Sequence, residues 1–198
     1  MRHGTPLPPY GVRPIVAFQG ETGAFSEAAA EQLVKGPLTL LPCATFDAAV
    51  RAVVDGHADY AVLPIENLIA GPVHGALDAM APFASLERMG ELALPIRLAL
   101  LGLAGTNAGE VREVLSHPIA LRQCTRFLAE HPHIVAVEAH DTAGAARMVA
   151  IRREPTLAAI AAPWAAKHYG LAILAEGLED RPDNTTTFVL IRRVTLSS

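Results

Sequence analysis

Ile15-Val16-Ala17-Phe18-Gln19-Gly20-Glu21-Thr22-Gly23-Ala24-Phe25-Ser26 runs from a short apolar segment, through a glycine-containing turn, into an alanine-rich stretch. That order reads as strand, turn and helix. The same alternation continues along the chain. A helix is expected from about residue 26 to 34, a strand over 38–41, and a helix over 46–54, where Phe46, Ala49, Val50 and Val53 share one face. A strand over 59–63 is expected to stop at Pro64, followed by a short helix over 73–80. A second series then begins. It comprises a strand over 94–103 entered through Pro95, a strand over 111–115, a helix over 118–129 and a strand over 134–138. A helix capped by Asp141, a strand over 157–161, a helix begun by Pro163 and ended by Gly170, and strands over 171–174 and 186–192 complete it. Strands alternating with helices imply a largely parallel α/β architecture. Two such groups imply two lobes, breaking near residues 90–95 and returning near 176–184, with a cleft between them at the strand ends.

Composition narrows the function classes. The chain has 198 residues, 51% of them apolar, and a formal net charge of −4. That describes a folded protein with no broad basic field, so nucleic acid is not an expected partner. The longest apolar stretch, residues 92–104, contains Pro95 and Arg97 and is too short to span a bilayer, so no membrane association is expected. The N-terminal residues have no apolar core of signal-peptide length and read as a Pro-rich leader, which points to the cytoplasm. Cys43 and Cys124, far apart and without metal-ligand spacing, are expected to be free and partly buried.

Four segments place polar groups at the edge of an apolar element, where a small polar ligand can be held. They are the Gly20–Ser26 turn, Leu63-Pro64-Ile65-Glu66-Asn67, Ser116-His117-Pro118 with Gln123-Cys124, and Asp183-Asn184-Thr185-Thr186-Thr187-Phe188. Each has an ordinary reading as well. The first lacks the glycine spacing of a dinucleotide or phosphate loop, and is either a plain turn or a helix start that receives a carboxylate. Glu66 is a polar loop cap, or a proton carrier if desolvated. Ser116 taken alone is a helix N-cap. Its neighbour His117 does not make a hydrolytic triad, which is a spatial arrangement. His131-Pro132-His133 lacks a third ligand, and no metal site is expected.

Together, in their order and spacing, these segments resemble the prephenate dehydratase family, including the arogenate dehydratases. The resemblance extends through Gly71-Pro72-Val73-His74, Asp141-Thr142-Ala143-Gly144 and Tyr169-Gly170-Leu171. It implies a two-lobed, periplasmic-binding-protein-like (type II) fold with an active-site cleft between the lobes. It also implies dehydration and decarboxylation of prephenate to phenylpyruvate, in phenylalanine biosynthesis, without metal or organic cofactor. By motif it makes Thr186, Glu66 and His117 catalytic candidates. Asn67, Ser116, Gln123, Ser26 and Thr187 become substrate-binding candidates. The expected domain covers about residues 14–193, one lobe of about 14–92 plus 178–193 and the other of about 93–177, with a leader before it and a short tail after it. A homodimer or homotetramer is expected. Three positions depart from the family pattern. Thr187 stands where an arginine is common, Leu68 where a serine is common, and Leu98 where a histidine is common. A thread of sequence ending at Ser198 is expected to carry neither the regulatory ACT domain nor a chorismate mutase domain. The alternatives are an arogenate dehydratase and a carboxylate-binding module that has lost catalysis.

Overall fold

The computed structural model describes residues 13–194, so the expected leader and tail lie outside the described residues. In chain order the elements are β1 (Ile15–Gln19), α1 (Phe25–Leu33), β2 (Thr39–Cys43), α2 (Phe46–Val54), β3 (Tyr60–Asn67), β4 (Gly71–Pro72), α3 (His74–Met80) and β5 (Leu86–Pro95). Then come β6 (Ala99–Gly102), a 3-10 turn (Ala108–Glu110), β7 (Glu113–Ser116), α4 (Pro118–Arg122), α5 (Thr125–Glu130) and β8 (Val135–Glu138). The last are α6 (Thr142–Arg152), β9 (Leu157–Ala161), α7 (Pro163–Tyr169), β10 (Ala172–Glu176) and β11 (Thr185–Arg193).

The chain forms two compact units, each an α/β body with its own sheet, in line with the expected fold class. The first takes the residues up to Gln19, Ser26–Leu94 and the strand from Thr186 on. The second takes Gly20–Phe25 and Pro95–Thr185. The return therefore comes at Thr185 rather than near residue 178. Leu178 and Glu179 are buried, and backbone N–H groups from Leu178 to the Leu98 carbonyl and from Leu98 to the Glu179 carboxylate tie this stretch to the second unit.

In the first unit the strand order is β2-β1-β3-β11-β5, with β4 beside β3. β1 runs parallel to β2 and β3, and β11 runs antiparallel to β3. Tyr60 to Leu63 are all buried, as a central strand covered on both faces requires. Helix α2 begins as read: the Thr45 side chain accepts from the Ala48 N–H at 3.1 Å, and Ala49, Val50, Ala52 and Val53 face the core. The strand does not stop at Pro64. It continues to Asn67 because the pairing shifts there: Phe188 faces Pro64 and Thr187 faces Glu66, leaving Ile65 as an extra residue. A bulge tolerates a residue that lacks an N–H.

In the second unit the order is β10-β6-β9-β7-β8. β7 is parallel to β8 and β9, whereas β6 is antiparallel to both β9 and β10. The sheets are thus mixed, not largely parallel. The β9-α7-β10 crossover is intact, but β6 is inserted between its two strands. Asp141 caps α6 as expected, accepting from the Gly144 N–H at 2.6 Å. Gly170 ends α7 with φ 66°, a left-handed conformation that glycine adopts without strain.

Three further readings change. The expected strand over 94–103 is divided between β5, which starts eight residues earlier at Leu86, and β6. The Leu98 N–H between them is taken by Glu179 Oε2 at 2.9 Å. The expected helix over 118–129 is two helices, α4 and α5. Ser116 is not the N-cap of α4 but the last residue of β7; the cap is His117. Both cysteines are free, as expected, with Cys124 fully buried.

Candidate functional site

In the first unit the strand register places Asn67 directly opposite Thr186. Both are at most 8% exposed, and Asn67 Nδ2 donates to Thr186 Oγ1 at 2.9 Å. The amide cannot turn over without loss, because its Oδ1 already accepts the N–H groups of Ile69 at 3.0 Å and Ala70 at 2.9 Å. Thr186 Oγ1 is thereby an acceptor from Asn67, and its own proton donates to no other described residue. A hydroxyl held this way is an oriented donor. Glu66 and Thr187 are a neighbouring pair in the same ladder, and adjacent strand residues face opposite ways. Glu66 is exposed, so the desolvation that its proton-carrier reading required is missing. Ser26 lies in the first turn of α1, 7% exposed, its hydroxyl bonded to no other described residue.

In the second unit Ser116 is fully buried and donates to the Ile160 carbonyl at 2.6 Å, bridging β7 to β9. His117 is half-buried. Its Nδ1 accepts from the Ile119 N–H at 3.1 Å, which fixes the neutral tautomer with the proton on Nε2. Burial holds its pKa below the usual 6.5, helped by Arg122 and His140, while Asp141 and Glu138 pull the other way. Ser116 and His117 are therefore not wired as nucleophile and base. Gln123 closes α4 and is 9% exposed, and its side-chain amide bonds to no other described residue.

The sequence of the family described as prephenate dehydratase matches residues 16–195 of this chain. The chain belongs to the prephenate dehydratase family. It is 42% identical over 183 residues to the chloroplastic arogenate dehydratase/prephenate dehydratase 2 of Arabidopsis thaliana, covering 92% of this chain and 47% of that protein. The chain thus spans about half the length of the curated relatives it matches. The solved prephenate dehydratase of Arthrobacter aurescens, in complex with L-Phe, is 35% identical with a TM-score of 0.84, over 92% of this chain and 61% of that one. The structure described as GqqA, a novel type of quorum quenching acylase, is 36% identical with a TM-score of 0.79, over 92% of this chain and 65% of that one.

Within the prephenate dehydratase frame the three departures have distinct settings. Leu68 is 57% exposed in the turn that Asn67 caps, Leu98 is buried in the core of the second unit, and Thr187 pairs with Glu66. Arg97 and Arg181 both have partners. Arg97 bonds the Pro182 carbonyl and lies 3.5 Å from Glu179, and Arg181 makes a two-pronged pair with Asp183 at 3.1 and 2.6 Å. Among the described residues no group of three or more His, Cys, Asp or Glu is arranged to hold a metal ion. His131 instead contacts the Phe127 carbonyl at 2.8 Å and stacks on its ring. Sequence reasoning missed Glu179 and Asp180. The signal available was two consecutive carboxylates, Glu179-Asp180, just upstream of the Asn184 motif.

Proposed function

We propose that this chain converts prephenate to phenylpyruvate, carbon dioxide and water. The observation that carries this reading is the Thr186 hydroxyl, held by Asn67 with its proton left to donate. Prephenate bears a carboxylate and a hydroxyl at opposite positions of one ring. When the C–CO2 bond breaks, its electron pair enters the ring and expels hydroxide, leaving an aromatic ring. The departing hydroxide takes one proton, supplied by solvent, and becomes water. Thr186 stabilises that departing oxygen by hydrogen bonding. Asn67 orients Thr186, while the Gln123 amide, the Ser26 hydroxyl and the His117 Nε2–H act on the substrate's carboxylates. Ser116 fixes the end of β7, from which His117 and α4 follow. Glu66 and Thr187, on the other face of the ladder, are left out of the chemistry.

A second reading is arogenate as substrate, favoured by relatives such as the Petunia hybrida arogenate dehydratase 1, 41% identical over 190 residues. The reading of the whole domain as residues 14–193, cytoplasmic location and a homodimer or homotetramer belong to the same proposal. No described helix is long and apolar enough to cross a membrane. Purified protein supplied with prephenate or arogenate, with phenylpyruvate and phenylalanine as readouts, decides the chemistry. Turnover of neither refutes both readings and leaves the binding module or an acylase-type activity. Light scattering decides the assembly.

A further inference from the structure

We propose that Asp180 is a positioning residue that breaks the α4–α5 segment and so aims the Gln123 amide at the substrate; this rests on the reading of Gln123 given above. Residues 118–129 carry a continuous helical pattern, yet the helix is interrupted. Gln123, the C-cap of α4, keeps φ −92° and ψ −2°, and Cys124 turns away at φ −122° and ψ 34°. In an unbroken helix the Gln123 carbonyl would accept from the N–H four residues on, and the N–H groups of Thr125 and Arg126 would bond four residues back. Asp180 takes all three places. Its backbone N–H donates to the Gln123 carbonyl at 2.6 Å. Its carboxylate accepts from the Thr125 N–H at 2.9 Å, the Arg126 N–H at 2.9 Å and the Thr125 hydroxyl at 2.6 Å.

Cys124, at the N-cap position of α5, supplies no side-chain cap, so the capping of that helix comes from Asp180, more than fifty residues away in sequence. Side chains turn by about 100° per residue along a helix, so restoring the continuous helix would change the direction of everything near the break. Gln123 is the polar side chain at that point. It is 91% covered and makes no hydrogen bond to another described residue. An amide that the fold leaves unspent on a largely covered residue is available to a ligand.

The test is a double-mutant cycle on prephenate turnover with Gln123→Ala, Asp180→Ala and the double variant. If Asp180 acts through Gln123, Asp180→Ala lowers kcat/KM about tenfold or more in the native background, the scale of a misplaced binding group. In the Gln123→Ala background it then has almost no further effect. Asp180→Asn, which keeps one acceptor oxygen at the cap, recovers most of the loss; if the alanine variant fails to fold, Thr125→Val, which removes the hydroxyl bond to the same carboxylate, takes its place in the cycle. Equal, multiplying losses in both backgrounds overturn the proposal, because a purely structural role would act alike in each. Side-chain amide NMR of Gln123 in the Asp180 variants reads the positioning without turnover. If the native chain turns over neither substrate, the functional reading fails, and an unshifted Gln123 resonance in folded Asp180→Ala or Thr125→Val refutes the positioning separately.

Discussion

Replacing Thr186 by valine keeps the branched shape and the β-preference of the side chain and removes only the hydroxyl. Two things are lost. One is the acceptor that Asn67 Nδ2 meets at 2.9 Å in a site at most 8% exposed. Removing one partner and leaving the other donor covered costs about 1–3 kcal/mol. For a chain of this size that lowers Tm by roughly 2–12 °C. The other is the donor to the departing hydroxyl. Loss of one such donor costs about 10²–10³ in kcat, equivalent to about 2.7–4 kcal/mol. The catalytic loss therefore exceeds the stability loss, and the two are measured separately. Phenylpyruvate formation at saturating prephenate gives kcat, and a thermal melt gives Tm. Thr186→Ser, which retains the hydroxyl, keeps most of the activity. Thr187→Val, one residue on and facing the other way, changes kcat little. A folded Thr186→Val protein with native kcat refutes the assignment of Thr186, and an equal loss in Thr187→Val refutes the facing argument.

His117 titrates below its usual 6.5 in the folded protein, so the unfolded chain binds its proton more readily. Its contribution to stability is then complete above the unfolded pKa and is lost as pH falls through the folded one. An NMR titration with a midpoint at or above 6.5 contradicts this. Burial, with the Asp180 and Glu179 carboxylates nearby, pushes the Cys124 thiol up to about 12, whereas Cys43 is raised less and is half-buried. A thiol reagent at neutral pH should label Cys43 first and Cys124 only after denaturant; two equally fast thiols would show that Cys124 is accessible. Trp164, the sole tryptophan, donates to the Gly23 carbonyl at 3.0 Å and packs edge-on against Phe25. Trp164→Phe keeps a ring and loses that bond, which predicts faster amide exchange at Gly23 and Ala24 with the rest of the second unit unchanged; unchanged exchange there means the bond does not hold the turn.

The sequence by itself determined the α/β class, most of the elements and the family, because these rest on local periodicity, caps and the order of short motifs. Phe46–Val54, Leu157–Ala161 and the Asp141 cap were legible for that reason: each is specified by residues within a few positions of one another. Asn67, Thr186, Gln123 and His117 were legible as candidates because the motifs that carry them resemble the family's. Only the tertiary structure decided which partners each one meets. The bulge at Ile65 carries β3 past Pro64 and brings Asn67 opposite Thr186, while it leaves Glu66 exposed with Thr187. The strand β6 enters between β9 and β10 and makes the sheet mixed. Asp180 divides a helix that local propensity would have joined. In each case the deciding hydrogen bonds join residues distant in the chain. Local pattern shows that a backbone group needs a partner, but not which remote residue will supply it.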